Sequence, residues 1–388
     1  MPINPAIQEF VDDARNWRRD IHENPELLYD VHRTSAFVAE RLKDFGCDEV
    51  ATGIGQTGVV GVIRGKLGDS DKTIGLRADM DALPIHETTN LPYRSKVEGK
   101  MHACGHDGHT AMLLGASRYL AKTRNFAGKA IVIFQPAEEG GAGAKAMIDD
   151  GLMERFGVDQ VFGMHNMPHL PIGSFAIRKG PFLAAADRFT IEIEGQGGHA
   201  AYPHLCIDPL LAATQIVSAL QSIVARGVDP LDSCVVSVTR FEAGSAFNII
   251  PQTAGLLGTT RTYLPATRDF VERRLTEIAK GVGAAMGAKV EVKYERGYPT
   301  TRNHPEQTDF AVSVARKVAG ADKVETNSPA IMGAEDFSFM LETRPGAFIM
   351  IGNGDSAVWH DPKYDFNDAV LPYGMSYWAE LVEKALAA

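Results

Sequence analysis

The spacing of apolar and polar positions divides the chain into short strands and helices. Apolar residues recur at helical spacing over 7–28 and 34–46, and the second run ends at a glycine typical of a helix C-terminus. Further helical stretches, such as 108–123 and 143–153, separate apolar runs of strand length. Those runs lie at 59–65, 73–79, 129–135, 158–165 and 347–353. This alternation predicts an α/β fold with a mixed, largely parallel sheet flanked by helices.

The pattern changes between residues 183 and 297. There, strand and helix signals follow the order β-α-β-β-α-β, which is typical of a ferredoxin-like unit. Because a helical stretch at 308–320 and the strand at 347–353 resume the earlier rhythm, this unit is predicted to be an insertion. We therefore expect one larger domain, formed by 1–182 and 298–388, with an inserted ferredoxin-like α+β domain at 183–297.

Composition and charge narrow the possible partners. A length of 388 residues predicts two domains. Thirty-nine basic and 49 acidic residues give a net charge of -10, without a basic cluster, so nucleic acid is not an expected partner. The N-terminus lacks a signal-peptide pattern, and no apolar stretch is expected to reach the ~18 residues that a membrane span needs. Four widely spaced cysteines predict neither a disulfide framework nor a zinc knuckle, so we expect a cytoplasmic protein without a membrane partner.

Side chains able to bind metals are concentrated where the predicted core strands end. The stretch MHACGHDGHT at 101–110 holds three of the chain's 12 histidines and one of its four cysteines. Open α/β sheets place their sites at the carboxyl ends of the strands, so residues that follow different strands are expected to converge there. The candidates by this criterion are Asp79, Asp81, Glu138, Glu139, His165 and His360, together with Cys104 and His106 before a predicted helix.

The chemistry of this set indicates transition metals. One thiolate, one carboxylate and three imidazoles, from Cys104, Glu139, His106, His165 and His360, suit zinc, manganese, cobalt or nickel, and do not suit calcium. Five ligands exceed what one tetrahedral ion takes, so two divalent ions sharing a ligand are predicted. Adjacent residues in extended chain point to opposite sides, which leaves Glu138 free to act as a general base beside the cations.

Other interpretations of the same residues remain open at this point. Each side chain taken alone is more often an ordinary loop or core residue. Cys104 and His106 would also serve a thiol hydrolase if the imidazole bonded the sulfur, which residues two apart achieve only in an unusual turn. The dipole of the following helix is expected to favour the ionised form of Cys104.

Nine ordered motifs across nearly the whole chain resemble one family. The motifs are RRDIHENPEL, RADMDALPI, MHACGHDGHT, QPAEEGGAGA, GMHNMP, GGHAAYPH, NIIP, MGAEDFS and HDPKYDFND. They resemble those of the amidohydrolases that include hippurate hydrolase, N-acyl-amino-acid aminoacylases and the plant auxin-conjugate hydrolases. The chain departs from that pattern at PELLYDVHRT, where His32 stands in place of an expected glutamate near the threonine.

The resemblance implies roles for individual residues. It implies that Cys104 is the bridging ligand of two metal ions and that His106, Glu139, His165 and His360 are the other ligands. It also implies that Glu138 is the general base. It implies that the inserted domain is a lid and dimer-forming module, giving a homodimer or a dimer-based homotetramer. In that module, it implies that His199 polarises the scissile carbonyl and that Asn248 and Arg261 bind substrate, with Arg261 suited to an α-carboxylate. Carboxylates expected to orient the ligands are Asp79, Asp81, Asp107 and Glu335.

The predicted activity is hydrolysis of the amide bond in a small N-acyl amino acid, giving a carboxylic acid and a free amino acid. The alternative within enzymes is a dipeptidase or carboxypeptidase, which would accept a free amine on the acyl part. The alternative outside enzymes is a catalytically silent protein that binds acyl amino acids. Such a protein would be expected to have lost a ligand or the base, and the sequence retains all of them.

Overall fold

The computed structural model describes residues 5–68 and 70–388, so residues 1–4 and 69 of the first predicted domain segment lie outside the described part. The chain forms two compact units. The larger one contains 5–182, Arg302–Pro329 and Asp336–Ala388, and the smaller one contains Leu183–Thr301 and Ala330–Glu335.

The secondary structure follows the alternation of strand and helix that the sequence indicates. The strands are β1 (Glu49–Ile54), β2 (Gly58–Arg64), β3 (Thr73–Asp79), β4 (Lys129–Gln135), β5 (Gln160–Pro168), β6 (Phe175–Ala176), β7 (Gly180–Leu183), β8 (Ala185–Glu194), β9 (Gly198–His199), β10 (Cys234–Ala243), β11 (Ile249–Ile250), β12 (Thr253–Thr262), β13 (Lys289–Arg296), β14 (Thr301–Asn303), β15 (Val324–Glu325) and β16 (Gly346–Gly354). The helices are α1 (Pro5–Gln8), α2 (Val11–Glu23), α3 (His32–Asp44), α4 (His106–Thr123), α5 (Gly143–Asp149), α6 (Leu152–Phe156), α7 (Pro209–Ser222), α8 (Pro265–Ala285), α9 (Pro305–Ala319), α10 (Phe337–Thr343) and α11 (Leu371–Ala385).

An eight-stranded sheet forms the centre of the larger unit, in the order β1-β2-β4-β3-β5-β16-β6-β15. The four central strands, β4, β3, β5 and β16, are parallel, and antiparallel pairs occur only toward the two edges. These central strands are almost wholly buried, which explains why each is a continuous apolar run without alternation. The mixed, largely parallel sheet predicted from the sequence is confirmed.

Helix α4 carries the first residues of the candidate site and is buried along nearly its whole length. It packs closely on α11 through glycines on both helices. A Cβ at Gly115 would lie 2.4 Å from the side chain of Met375, and a Cβ at Gly374 would lie 2.0 Å from the sulfur of Met112. Each glycine thus makes room for a methionine of the other helix, and this fixes the position of α4 against the core.

The N-terminal region differs in two details from the helices that the apolar periodicity predicts. The run 7–28 forms α1 and α2, and α2 ends at Glu23 because the next residue, Asn24, precedes Pro25 and is disfavoured in the helical conformation. Glu26 caps α3, since its carboxylate accepts the backbone N–H groups of Arg33 and Thr34 at 2.9 and 2.8 Å. His32, found where a glutamate is expected, is the first residue of α3 and is exposed.

The smaller unit is an antiparallel sheet in the order β10-β12-β8-β13, with α7 and α8 packed on it around one apolar cluster. This is the strand order of a ferredoxin-like unit, entered at β8. The unit extends beyond the predicted end at 297, because Tyr298 accepts the N–H of Ala186 at 3.0 Å. It also takes up Ala330–Glu335, which was predicted to belong to the larger domain. The N–H of Ala184 bonds the carbonyls of Ile331 and Gly333 in that segment.

One expectation about apolar stretches is wrong. The segment Pro209–Gly227, which comprises α7 and one π-helical turn, is long and apolar enough by length and composition to cross a membrane. Its buried residues, including Ala212, Ile216 and Leu220, belong to the apolar cluster of the smaller unit, as in the core helix of a folded domain. Only 28% of the apolar window is buried, so the other side of this helix presents apolar side chains at the surface.

Candidate metal centre

The five predicted ligands come together within the larger unit. They form two groups that share one residue: Cys104, His106 and His165 in the first, and Cys104, Glu139 and His360 in the second. Within each group the potential ligand atoms lie within 4.8 Å of one another. Glu139 lies in the loop that follows β4, and His165 lies in the C-terminal half of β5, as the position of sites in open α/β sheets predicts.

Individual distances outline the centre. The sulfur of Cys104 lies 3.4 Å from Nε2 of His165. The Oε1 atom of Glu139 lies 3.4 Å from Nε2 of His360 and 3.9 Å from Nε2 of His106. His360 is half-exposed whereas Cys104, His106 and His165 are buried, so the centre opens on the His360 side.

Backbone carbonyls fix which nitrogen of two imidazoles faces the cluster. Nδ1 of His106 donates to the carbonyl oxygen of Asp81 at 2.8 Å, and Nδ1 of His165 donates to that of Asn166 at 2.7 Å. A carbonyl oxygen only accepts, so each Nδ1 carries a hydrogen and each neutral ring keeps its lone pair on Nε2. This is the arrangement by which proteins orient histidine ligands toward a metal.

Two buried polar atoms at the centre test whether a cation fits. Nε2 of His106 and Oε1 of Glu139 have no hydrogen-bond partner among the described residues. An unsatisfied buried polar atom costs about 1–3 kcal/mol, so such atoms are rarely left without a partner. A divalent cation coordinated by the lone pairs of both atoms would satisfy them, and the residues present fit a metal.

The charges around Cys104 correct one expectation. Burial, with the neighbouring carboxylates of Glu139, Glu138 and Asp79, raises the pKa of the Cys104 thiol well above its usual value. The helix dipole therefore does not by itself favour the thiolate, because desolvation and like charge oppose it. The positive charge that a thiolate needs here is the charge that a bound cation brings.

The same imidazole geometry argues against a thiol hydrolase in which His106 activates Cys104. His106 bonds Asp81 through Nδ1 and has no hydrogen-bond partner at Nε2 among the described residues, so it does not activate the sulfur of Cys104.

Asp81 holds the backbone of the two adjacent glutamates. Its carboxylate accepts the N–H of Glu138 at 2.9 Å and that of Glu139 at 3.1 Å. Ala137, directly before them, has a φ of +54°, in the left-handed region that residues other than glycine rarely adopt. This turn and the shared acceptor place the Glu138 carboxylate, which is buried, within 4.8 Å of the ligand atoms of His106 and Glu139.

Asp79 and Asp107 differ in what they contact. Asp79 accepts from Arg77 at 2.6 Å and from Nδ1 of His109 at 2.7 Å, and it lies 3.8 Å from Nε2 of His106. Burial would raise the pKa of Asp79, but His106, Arg77 and His109 lower it well below its usual value. Asp107 instead bonds His22 of α2 at 2.8 Å, so its contacts connect α4 with the N-terminal helix.

Three residues around the centre were missed by the sequence analysis. Arg77 is a buried arginine within an apolar strand, a rare placement that is itself a signal of a charged partner. His109 follows His106 by three residues and so shares its face of α4. Asn166 is fully buried and adjacent to His165; it lies in the motif GMHNMP, but only its histidine was taken as a candidate.

The remaining predicted residues lie in the smaller unit. His199 is exposed in β9, next to β11, and the N–H of Ala200 donates to the carbonyl of Asn248 at 3.0 Å. Nδ1 of His199 accepts the N–H of Ala201 at 3.1 Å. Arg261 is half-buried in β12, and Glu335 is buried in the short segment Ala330–Glu335.

Comparisons with known proteins agree on one family. The model of peptidase family M20/M25/M40 matches residues 75–384. The chain is 46% identical to a hippurate hydrolase of Campylobacter jejuni over 386 residues, covering 100% of both, and 40% identical to an N-acetylcysteine deacetylase of Bacillus subtilis, covering 94% of this chain and 95% of that protein. The crystal structure of the Bacillus subtilis YXEP protein, described as a dinuclear metal binding peptidase from the M20 family, is similar with a TM-score of 0.86 and 36% identity, over 98% of this chain and 99% of that one.

Proposed function

The chain belongs to peptidase family M20/M25/M40, and from this membership we propose that it hydrolyses the amide bond of N-acyl amino acids with the help of two divalent metal ions. The products are a carboxylic acid and a free amino acid. The observation that carries the proposal is the cluster of Cys104, His106, Glu139, His165 and His360 around buried atoms without partners, with Glu138 beside it. The substrates named for the hippurate hydrolase and the deacetylase support the same class of reaction.

The five ligands would hold two ions of zinc, manganese, cobalt or nickel, and Cys104 belongs to both groups of potential ligands. Bound there, the ions would polarise the amide carbonyl and lower the pKa of the attacking water. Glu138 takes the proton from that water and passes it to the departing nitrogen, which must leave as an amine. The hydrogen bond from its own N–H to Asp81 holds Glu138 for this transfer.

We assign the binding of the substrate's polar groups to the smaller unit. Because Nδ1 of His199 accepts a backbone N–H, the neutral ring carries its hydrogen on Nε2 and can donate it to the developing oxyanion. Nη1 of Arg261 donates to the hydroxyl of Thr259 and to the carbonyl of Thr260, and its other N–H groups have no such partner in the described part of the chain. Those remaining donors are proposed to bind the α-carboxylate of the substrate. Asn248, exposed beside His199, is proposed as a further hydrogen-bonding group.

We propose that the protein is a homodimer, or a tetramer built from dimers, joined through the smaller unit. Large apolar side chains of this unit lie at the surface around His199 and along α7; they are Tyr202, Leu205, Leu210, Leu211, Phe247 and Ile249. Phe247 is fully exposed, an arrangement more typical of a protein interface than of a free surface. Four unpaired cysteines support the further proposal of a cytoplasmic location.

The proposed function is tested with a panel of substrates and metals. Metal is removed by dialysis against a chelator, and hydrolysis is followed with and without added manganese or zinc. The panel contains N-benzoylglycine, N-acetyl amino acids and dipeptides with a free amino terminus. We expect metal-dependent hydrolysis of the N-acylated compounds and slow or no cleavage of the free dipeptides. Preferential cleavage of the dipeptides would instead indicate a peptidase, and binding without turnover a silent binding protein.

A further inference from the structure

A single buried amide connects three of the segments that carry the predicted ligands. The side chain of Asn166 has no exposed surface and lies next to His165 at the end of β5. Its Nδ2 donates to the carbonyl oxygen of Cys104 at 2.6 Å. Its Oδ1 accepts from Tyr364 at 2.7 Å and from the indole of Trp359 at 3.3 Å.

Each hydrogen-bond partner of the Asn166 side chain named above is either a predicted metal ligand or close to one in the sequence. Cys104 is itself a predicted ligand, while Trp359 precedes and Tyr364 follows His360 in the same loop. The carbonyl oxygen of Asn166 accepts from Nδ1 of His165. One residue therefore contacts the loop of Cys104, the strand of His165 and the loop of His360.

The orientation of the amide follows from the chemistry of its neighbours. The indole N–H of Trp359 can only donate, so it requires the oxygen of the amide, and the carbonyl of Cys104 can only accept, so it requires the nitrogen. The backbone N–H of Asn166 also donates to Nε2 of His109 at 2.9 Å, which places the ring hydrogen of His109 on Nδ1, facing Asp79. A residue at 166 must therefore both donate and accept through its side chain.

The turn at Gly105 packs closely against this amide. A Cβ at Gly105, between Cys104 and His106, would lie 2.4 Å from Nδ2 of Asn166 and 2.6 Å from the hydroxyl of Tyr364. Gly105 also has a φ of +89°, which favours glycine. The turn that carries the two ligands is therefore pressed directly against Asn166.

We propose that Asn166 is a positioning residue that sets the geometry of the metal centre by holding the Cys104, His165 and His360 segments in register. This inference rests on the proposed function, because it assigns Asn166 to a centre that binds metal. Aspartate at 166 would keep the shape of the side chain but place an oxygen, which cannot donate, against the carbonyl of Cys104. Loss of such an orienting partner typically weakens metal binding by about 10- to 100-fold.

The experiment is a titration of metal-free full-length protein with cobalt(II), followed by the sulfur-to-cobalt charge-transfer absorbance that reports ligation by Cys104. The variant is Asn166→Asp, and the matched control is Asn303→Asp. Asn303 is also fully buried in the larger unit and donates to two carbonyls, those of Arg178 and Phe348, but its hydrogen bonds involve no ligand segment. Circular dichroism and the unfolding midpoint of the metal-free proteins measure the general cost of burying a carboxylate.

We expect cobalt affinity to fall about 10- to 100-fold in Asn166→Asp and to stay within about 3-fold of wild type in Asn303→Asp. Equal affinities of the two variants would overturn the role of Asn166. A wild-type protein that binds no cobalt through sulfur would instead overturn the metal centre, and with it the proposed function. The two failures are thus distinguished by the wild-type titration alone.

A milder pair of variants serves if Asn166→Asp does not fold. Tyr364→Phe removes one donor to Oδ1 of Asn166 and keeps the ring, and it is expected to weaken cobalt binding about 5-fold, as for the loss of one hydrogen bond. Tyr377→Phe is its control, because Tyr377 is likewise buried in the larger unit and packs on Phe175. Equal affinities in this pair would count against the proposal in the same way.

Discussion

The backbone N–H of Glu138 donates a 2.9 Å hydrogen bond to Oδ1 of Asp81. The backbone at Glu138 is therefore fixed by a hydrogen bond within the protein, independently of any bound ion. Glu139, one residue further on, has an unpartnered carboxylate oxygen directed at the cluster. Two adjacent carboxylates thus have separable tasks, one in proton transfer and the other in holding metal.

Substitution of Glu138 separates these tasks. Glu138→Gln preserves the shape of the side chain but cannot take a proton, so turnover is expected to fall by about 10²- to 10⁴-fold. Metal content, measured on the same preparation by plasma mass spectrometry, is expected to remain at the wild-type level. Glu139→Gln is the matched control and should lose bound metal. Substantial activity in Glu138→Gln would remove this residue from the mechanism.

His199 is expected to act on the transition state and not on substrate binding. His199→Ala removes the donor for the oxyanion, and kcat is expected to fall about 10²- to 10³-fold with a small change in KM. His199→Gln can still donate a hydrogen bond and should recover part of the loss. Steady-state kinetics with an N-acyl amino acid measure both constants. An unchanged kcat in the alanine variant would exclude the proposed role.

Arg261 is expected to recognise the carboxylate of the substrate. Arg261→Ala should lower kcat/KM for N-benzoylglycine about 10- to 100-fold, the loss typical of a charge-assisted hydrogen bond. N-benzoylglycinamide has no carboxylate, so its already slow hydrolysis should be nearly unaffected by the same substitution. A parallel loss with both compounds would show that Arg261 supports the fold of the smaller unit instead.

The contact between α2 and α4 makes stability depend on pH. Burial would lower the pKa of His22, but Asp107 and Glu87 outweigh it and raise the pKa to about 9. The raised value belongs to the folded state, so protonated His22 stabilises the fold fully below about pH 6.5, and this contribution is lost as the pH rises through about 9.

The free energy of unfolding of the metal-free protein is therefore expected to fall between pH 6.5 and 9. The loss of the His22 contribution accounts for a decrease on the order of 2–3 kcal/mol. Asn in place of His22 can still donate to Asp107 but does not titrate in this range. Denaturant unfolding of His22→Asn should show a correspondingly smaller pH dependence than wild type. The same slope in both proteins would assign the effect to other groups.

Features that produce a local sequence pattern could be predicted from the sequence, and features that depend on distant contacts could not. Buried parallel strands leave long apolar runs, and ligands at their carboxyl ends follow those runs directly, so Glu139 and His165 could be located without a structure. Asn166 could not, because its importance lies in partners more than 50 residues away, at Cys104, His109, Trp359 and Tyr364. The motif GMHNMP marks the position of Asn166 in the sequence, but it does not show which distant residues the amide contacts.

The boundary of the smaller unit illustrates the same limit. The segment Ala330–Glu335 was predicted to lie with the larger domain because it falls between a helix and a strand of that domain. It belongs to the smaller unit, where the backbone N–H of Ala184, some 150 residues earlier in the chain, donates to the carbonyls of Ile331 and Gly333. The run 209–227 was not predicted to be long enough for a membrane span for a different reason. Polar residues interrupt it at several positions, although its mean hydropathy is sufficient.

The most direct test of the account is the metal content of the chain and of Cys104→Ala. After removal of metal and reconstitution with manganese or zinc, we expect two ions per wild-type chain, together with activity that depends on them. Cys104 belongs to both ligand groups, so Cys104→Ala should bind less than one ion per chain and be inactive. A wild-type protein that is fully active without metal, or a Cys104→Ala protein that still holds two ions, would contradict the account.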